Sequence, residues 1–224
     1  MMSELIGDFP RQFISLSVLI MVIFMFNMNA ADDTTPTPNK KLEVKVYYET
    51  LCPDSIRFIR NQLLPVMTEK NRLNFTDLKF VPFGHVVSYK DRNTNETVMR
   101  CQHGRNECEL NAQHACVIEN NSEREAFDMV TCMMSGYNKK LNKCATKFGI
   151  NVDAAKSCKE SKSTENILEK YGVDTYSVNP SFIPTITIDG IFNWNEQDEI
   201  LQDLDAVFCR RYENKYNVKL DGCY

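Results

Sequence analysis

The fold of this chain is decided by one stretch, Leu42-Glu43-Val44-Lys45-Val46-Tyr47-Tyr48-Glu49-Thr50-Leu51-Cys52-Pro53-Asp54-Ser55. Its first seven residues alternate apolar and polar side chains and end in two tyrosines, a pattern that predicts a central β-strand. Pro53 suits the first turn of a helix, where its missing N–H removes no hydrogen bond. Cys52 therefore lies where a strand ends and a helix begins.

The residues that follow complete a β-α-β unit. The helix continues through an apolar stripe formed by Ile56, Ile59, Leu63 and Met67. A second strand is predicted over residues 78–83. A helix between two strands favours a parallel pair.

The carboxyl-terminal part starts with another predicted helix. Ser163 is a favourable N-cap, and Gly172 is expected to end the helix. The apolar stripe between them consists of Ile167, Leu168 and Tyr171.

A hairpin and a final helix are predicted next. Residues 182–188 predict a strand, Asp189-Gly190 a two-residue turn, and residues 191–194 a returning strand that ends in a buried Trp194. Asn195 is expected to cap the last helix. The inward-facing residues of that helix are Ile200, Leu204, Val207 and Phe208.

Together the two parts give β-α-β followed by α-β-β-α, the arrangement of a thioredoxin-like α/β fold. Residues 86–162 lie between them and are helical in pattern from about Glu107. We therefore expect one domain over residues 42–224, with a disulfide-stapled helical insertion at about 86–162.

The amino-terminal residues predict a secretory signal over residues 1–30. Residues 13–26 form an apolar run of 14 residues, shorter than the roughly 20 that a membrane-spanning helix needs. The alternative is an uncleaved anchor, and only then would the protein be held at a membrane. Residues 31–41 contain Thr-Pro-Thr-Pro and predict an exposed linker.

Three glycosylation sequons support passage through the secretory pathway, and we expect a secreted or lysosomal protein. The candidate acceptors are Asn74, Asn95 and Asn120. The net charge is -4 and no basic stripe is visible, so nucleic-acid binding has no support.

Nine cysteines follow the signal, and in an oxidising compartment eight of them can pair. The spacing favours Cys209 with Cys223 and leaves the other pairings open, and we expect Cys52 to be the free thiol. The other candidates for disulfides are Cys101, Cys108, Cys116, Cys132, Cys144 and Cys158. Zinc is the alternative for Cys101, Cys108 and Cys116 with His103 and His114, but their spacing fits none of the common zinc patterns, so we expect no metal.

A second motif carries a family resemblance: Cys101-Gln102-His103-Gly104-Arg105-Asn106-Glu107-Cys108-Glu109-Leu110-Asn111, closing at Cys116. With the Cys52 motif upstream, it resembles the gamma-interferon-inducible lysosomal thiol reductase (GILT) family. That family has a C-Q-H-G-x2-E-C-x2-N-x4-C signature downstream of a C-x-x-C active site. Here the signature is complete, whereas the active-site motif is C-x-x-S and ends in Ser55.

The resemblance covers residues 42–223. It implies a thioredoxin-like fold with a helical insertion, protein disulfides as substrates and an acidic endolysosomal compartment. It also implies that Pro184 is a cis-proline facing Cys52; the alternative is a trans proline that opens a strand. The backbone of Ile183 and Thr185 would then be presented to an extended polypeptide, aligned like an added strand.

Cys52 is the candidate nucleophile, because a thiolate attacks disulfides and a helix amino terminus stabilises a thiolate. Ser55 is expected to donate a hydrogen bond to the sulfur. Asp54 and Glu49 oppose the thiolate through their negative charge, and Arg57 can offset them. Pro53 and Asp54 complete the predicted substrate-binding set.

Ser55 changes the mechanism, because a hydroxyl does not displace a thiolate from a mixed disulfide. An external thiol such as cysteine or glutathione must do so, and no bound cofactor is expected. One hypothesis is an oxidoreductase that reduces or isomerises disulfides in disulfide-containing or unfolded polypeptides. The other is a polypeptide-binding or trapping factor without turnover.

The polar residues of the signature have two interpretations. They can bind substrate, or they can form a hydrogen-bonded corner that fixes the insertion to the core, which we favour. These residues are Gln102, His103, Glu107 and Asn111.

Overall fold

The structure, a computed structural model, describes residues 40–135 and 140–224. The predicted signal, residues 1–30, and nearly all of the predicted linker, residues 31–39, lie outside the described residues. Within the described ranges, no helix has both the length and the apolar character needed to cross a membrane.

A three-stranded sheet forms the centre of the fold, in the order β2-β1-β5. The strands are β1 (Leu42–Tyr48), β2 (Thr76–Pro82) and β5 (Thr185–Ile188). β1 pairs in parallel with β2 and antiparallel with β5, so that Val46 lies opposite Phe80 and Ile186. The predicted parallel β-α-β unit is confirmed.

The helix after Cys52 is continuous but changes its pitch. It consists of α1 (Pro53–Phe58), a π-helical turn (Ile59–Leu63) and α2 (Leu64–Thr68), and a 3-10 helix (Arg72–Phe75) leads into β2. Pro65 has no N–H to donate to the preceding turn, which accounts for the wider turn there. Ile59, Leu63 and Met67 are buried, as the apolar stripe predicts.

The insertion is a β-hairpin followed by four helices. Its elements are β3 (Val87–Lys90), β4 (Thr97–Arg100), α3 (Arg105–Glu119), α4 (Glu123–Met133), α5 (Leu141–Phe148) and α6 (Asp153–Ser161). The hairpin was not predicted. The β3 residues alternate apolar and polar side chains, but all four are exposed, so the strand packs no face against the core.

The helix after the insertion is longer than predicted. α7 (Thr164–Val178) begins at the Ser163 cap but runs past Gly172 and ends at Asn179, which has a left-handed backbone. The expected end at Gly172 was wrong. A Cβ there would lie 2.8 Å from the Phe83 ring, so the glycine permits close packing and does not stop the helix.

The predicted β-hairpin near the carboxyl terminus is only partly formed. Asp189 and Gly190 make the turn with positive φ angles of 50° and 72°, but β5 begins after Pro184 and the expected returning strand is reduced to one bridge between Ile188 and Ile191. Asn193 caps the next helix through its side chain, so the chain turns into helix where a strand was expected.

The expected final helix is two helices, α8 (Trp194–Gln202) and α9 (Leu204–Tyr216). Asp203 separates them, because its side chain accepts a hydrogen bond from Ala206 N and caps α9. The four predicted core positions of this region are all buried: Ile200, Leu204, Val207 and Phe208.

Candidate active site around Cys52

Cys52 is the N-cap residue of α1 and the free cysteine among the described residues. Its side chain is nearly buried, with 8% exposure. The thiol donates a hydrogen bond to the carbonyl of Ile183, 3.7 Å away, and the Ile183–Pro184 peptide bond is cis. The structure therefore brings the predicted nucleophile and the predicted cis-proline together.

The other eight cysteines form four disulfides in the structure. Three lie within the insertion and its flanks, and the fourth joins α9 to the carboxyl terminus. The pairs are Cys101–Cys108, Cys116–Cys158, Cys132–Cys144 and Cys209–Cys223. Only the last pairing was suggested by spacing. Cys101–Cys108 links the loop before α3 to α3, and the other two disulfides join helices whose packing the sequence does not show.

Ser55 does not contact the sulfur as expected. The side chain is fully buried, and its Oγ accepts a hydrogen bond from Glu49 N at 3.3 Å. Among the described residues, the hydrogen bond of the Cys52 thiol goes to Ile183 and none joins it to Ser55. The Glu49 N–H lies in the turn between β1 and α1, where it needs a partner, and Ser55 supplies one.

The two charged residues of α1 neutralise each other at the surface. Arg57 lies 2.7 Å from Asp54, and both side chains are more than half exposed. Arg57 thus offsets the negative charge of Asp54, as expected from the sequence, but an exposed pair of this kind has little influence on a nearly buried thiol.

Glu49 lies in a buried polar cluster with two residues of the signature. Glu49 and Glu107 are both fully buried. His103 Nδ1 lies 2.6 Å from Glu107 Oε2 and 3.4 Å from Glu49 Oε2. Burial raises the pKa of the Glu49 carboxyl to about 7, the Glu107 charge adds to this rise, and the His85 N–H and His103 oppose it.

The signature residues hold the loop that carries Cys52. Glu107 accepts a hydrogen bond from Leu51 N at 3.3 Å. Asn111 accepts from Thr50 N at 3.0 Å and from the Thr50 hydroxyl at 2.7 Å. These contacts form the hydrogen-bonded corner that we favoured from the sequence, except that Gln102 is exposed and takes no part in it.

The cluster also contains the donor atoms that a metal ion would need. Side-chain atoms of Glu49, His103 and Glu107 lie within 4.8 Å of one another. The 2.6 Å between His103 and Glu107 is, however, the length of a charge-assisted hydrogen bond. Two metal ligands at about 2 Å from one ion would lie farther apart, so the His103–Glu107 geometry is that of a hydrogen bond.

Aromatic side chains lie next to the segment that contacts Cys52, since Phe182 precedes Ile183. The Phe182 and Trp194 rings stack at 5.4 Å with an interplanar angle of 6°, and Phe192 packs against Trp194. Trp194 was expected in the core but is 61% exposed, because it is the first residue of α8 and not the last residue of a buried strand.

A groove of about 390 Å³ lies between Phe182, Ile183 and Pro184 on one side and Asp54 and Arg57 of α1 on the other. Pro53 is exposed at the start of α1 but does not line it. Thr185 does not line the groove: it is fully buried and lies opposite Tyr47 in β1. The outer edge of β5 is closed at Ile186, whose N–H and carbonyl both bond to the Gln197 side chain at 3.0 and 2.7 Å.

The three sequon asparagines are exposed. Asn74 lies in the 3-10 helix before β2, Asn95 in the β3–β4 turn, and Asn120 at the carboxyl end of α3. Each is therefore accessible to a modifying enzyme in the folded chain.

A thioredoxin-like fold with a cysteine before the first helix and a cis-proline facing it defines the class of thiol–disulfide oxidoreductases. Among solved structures, the reduced form of the disulfide oxidoreductase DsbG from Mycobacterium tuberculosis is similar in fold. It has a TM-score of 0.50 and 17% identity, and the match covers 77% of each chain.

The sequence comparisons show the family. The model of the gamma interferon inducible lysosomal thiol reductase family matches residues 43–148. "GILT-like protein 2" of Drosophila melanogaster is 38% identical over 82% of this chain and 86% of its own. A "Gamma-interferon-inducible lysosomal thiol reductase-like protein" of Anopheles gambiae is 34% identical over 76% of each chain. The chain belongs to the GILT family.

Proposed function

We propose that the protein is a thiol–disulfide oxidoreductase that works through the single thiol of Cys52. The observation that carries this proposal is the pairing of eight cysteines while the ninth lies free at the start of α1, in contact with Ile183 beside cis-Pro184. The amino end of a helix favours the thiolate, which is the attacking species.

The reaction needs two external thiols per disulfide. The Cys52 thiolate attacks one sulfur of the substrate disulfide, and the other sulfur leaves as a thiolate that takes up a proton. A small thiol such as cysteine or glutathione then attacks Cys52 and releases the reduced substrate. A second small thiol regenerates Cys52, so that two thiols become one small disulfide. No bound cofactor is required.

The position of Ser55 supports this route over internal resolution. Its hydroxyl is buried against the backbone of Glu49, and an alcohol oxygen does not displace a thiolate. If another thiol of the same substrate attacks the mixed disulfide, the outcome is isomerisation. Without either thiol the protein becomes a covalent trap.

The substrate class is a disulfide-containing or unfolded polypeptide. The groove beside Pro184 is open, whereas Gln197 closes the outer edge of β5 at Ile186. An added strand is therefore confined to the Phe182–Pro184 segment. Nucleic acid is not an expected partner, and the membrane is one only if the amino-terminal segment stays uncleaved.

The proposed location is the secretory pathway, with a secreted or lysosomal destination. Four disulfides fit an oxidising compartment, and three exposed sequons fit glycosylation there. Asn74, Asn95 and Asn120 are the proposed acceptors, to be tested by glycosidase digestion of the secreted chain.

The experiment is reduction of a denatured disulfide protein at acidic and neutral pH with excess cysteine. We expect turnover above the small-thiol background that disappears in Cys52→Ser. Ser55→Cys should lower the dependence on the small thiol, because it restores internal resolution. Equal rates for parent and Cys52→Ser would contradict the proposal.

The second candidate function is a non-catalytic polypeptide-binding or trapping factor. Ser55 supports this alternative, because it replaces the second cysteine of the C-x-x-C motif of the family. No turnover in the parent, together with activity gained by Ser55→Cys, would select this function.

A further inference from the structure

The cluster of Glu49, His103 and Glu107 contains a buried oxygen without a partner. Glu49 Oε1 accepts a hydrogen bond from His85 N at 2.6 Å. Its Oε2 is buried and makes no hydrogen bond to any described residue, yet it points at His103 Nδ1, 3.4 Å away. A buried oxygen of this kind costs free energy unless a proton or a cation satisfies it.

The charges around the cluster do not balance two carboxylates. His103, which is 32% exposed on its side chain, is the single described basic side chain within ion-pair distance of Glu49 or Glu107, and it balances a carboxylate only when it is protonated. Three groups face the Glu49 carboxyl. Glu107 comes from α3, His103 from the loop before α3, and the backbone N–H of His85 from the loop after β2. A proton held between the two carboxylates would remove their repulsion.

The space around Glu49 is closed on the remaining side. Gly84 has a φ of 67°, and any side chain there would collide with Glu49. The Gly84 backbone therefore packs directly against the Glu49 side chain and limits its movement on that side, so that repulsion between two ionised carboxylates is expected to strain the surrounding loop.

That loop is the one that carries Cys52. Glu107 holds Leu51 N, and the Glu49 backbone N–H is held by Ser55. The two carboxyl groups thus belong to the residues that fix the chain on either side of the turn before the nucleophile.

We propose that Glu49, His103 and Glu107 are positioning residues for exchange at Cys52, and that a proton shared among them holds the Cys52 loop in its reactive geometry. The inference rests on the proposed function in one respect, namely that Cys52 is the reacting thiol. Glu49 carries this proton in an acidic compartment, since the pKa of its carboxyl is about 7. Above that pH the second buried charge appears and opposes both the loop geometry and the thiolate.

The test measures alkylation of Cys52 by iodoacetamide between pH 5 and pH 8, quantified by mass spectrometry. This readout requires no reductase turnover. The variant Glu49→Gln keeps the shape and stays neutral at every pH. The matched control is Glu69→Gln, which makes the same change at an exposed residue near the end of α2. Melting curves at each pH show that every variant is folded.

We expect the rate of Glu49→Gln divided by that of the parent to be near one at pH 5. It should rise to about fivefold at pH 8, the factor expected of a nearby like charge that appears only in the parent. The Glu69→Gln ratio should stay near one throughout. Glu49→Met, which fills the space without a hydrogen-bonding group, should be slow at pH 5 as well, and the faster rate of Glu49→Gln would separate hydrogen bonding from simple filling of space.

A flat Glu49→Gln ratio, or an equal rise in Glu69→Gln, would overturn the inference. If Glu49→Gln does not fold, Glu107→Gln serves instead. Removing the Glu107 charge lowers the pKa of Glu49, so the pH at which ionised Glu49 begins to slow alkylation should be lower in Glu107→Gln than in the parent. The same pH in both proteins would also overturn the inference. If the ratio of Glu49→Gln to parent alkylation rates rises with pH but the protein shows no reductase turnover, the positioning role of the cluster is supported and the proposed function fails.

Discussion

A polar wall and an aromatic wall near Cys52 are built from opposite chemistry. The insertion contributes a polar wall, in which Glu107 and Asn111 of α3 bond to the backbone of the Cys52 loop. The other wall is aromatic and comes from Phe182 and Trp194 next to cis-Pro184. The polar wall is buried and hydrogen-bonds to the backbone of the loop, whereas in the aromatic wall Trp194 is 61% exposed and Phe182 is half-buried. We infer that the polar wall positions the thiol and the aromatic wall receives the substrate.

The largest expected effect follows from breaking the polar wall. Glu107→Ala leaves Leu51 N and His103 N without their carboxylate partner. We expect a loss of about 3 kcal/mol in the free energy of unfolding, since each unpaired buried donor costs about 1–3 kcal/mol. Urea denaturation at pH 6 measures it, with Glu169→Ala on the exposed face of α7 as the control. A loss below about 1 kcal/mol would show that the polar wall does not hold the loop.

The second prediction concerns pH and the buried His114, which lies behind the polar wall. Its Nδ1 lies 2.8 Å from the Tyr48 hydroxyl, and burial lowers its pKa to about 3. This folded-state pKa lies below the ordinary value of about 6.5. At a pH between the two values His114 is protonated in the unfolded chain but not in the folded protein, so its contribution to stability is lost as the pH falls.

Between pH 6.5 and pH 5 we expect His114 to lower the free energy of unfolding by about 2 kcal/mol. Glu49 acts in the opposite direction, since its raised pKa favours the folded state in acid and this contribution is lost as the pH rises through about 7. Denaturation of the parent and His114→Gln at both pH values isolates the histidine. Parallel pH dependences of the two proteins would show that His114 titrates normally.

The third prediction addresses the aromatic wall. Trp194→Ala should raise KM for a polypeptide disulfide about fivefold to tenfold, because an aromatic contact contributes about 0.5–1.5 kcal/mol. Reaction of Cys52 with a small disulfide should not change. Tyr176→Ala is the control, since that ring is 52% exposed but packs against Phe83 away from the groove. Equal effects of Trp194→Ala on both substrates would remove the distinction between the walls.

The smallest effect is expected at the surface of α1. Arg57→Gln breaks the exposed pair with Asp54, which is worth at most about 1 kcal/mol. The rate of Cys52 alkylation should change less than about twofold and should depend little on salt. A larger change would mean that surface charge, and not the buried cluster, controls the thiol.

Sequence patterns predicted the parts of the fold that rest on regular burial. The alternation in β1 and the apolar stripe after Pro53 gave the parallel unit, and the order of elements gave the thioredoxin-like arrangement. Local competition decided the elements that were predicted wrongly. The Asn193 cap replaced a strand by a helix, and close packing kept Gly172 inside one.

The site was predicted less completely than the fold. Cys52 was identified because it follows a strand and precedes a helix. Pro184 was identified because the family resemblance implies a cis-proline there. The partner of Ser55 could not be predicted, because a serine hydroxyl bonds to whichever backbone group the turn leaves free. The burial of Glu49 beside Glu107 depends on contacts across residues 49–107, for which no local pattern exists. The signal for the aromatic wall was the pair of aromatic residues Phe192 and Trp194 close to Phe182 in sequence, but Trp194 was expected in the core.

The central claim, that Cys52 alone carries the exchange and a small thiol completes it, is tested most directly by trapping the mixed disulfide. The protein is incubated with a disulfide-containing polypeptide without any small thiol, and the adduct is located by mass spectrometry. We predict an adduct on Cys52 that accumulates in proportion to the protein and is released as reduced polypeptide when cysteine or glutathione is added. The absence of an adduct, or an adduct that small thiols do not release, would contradict the account.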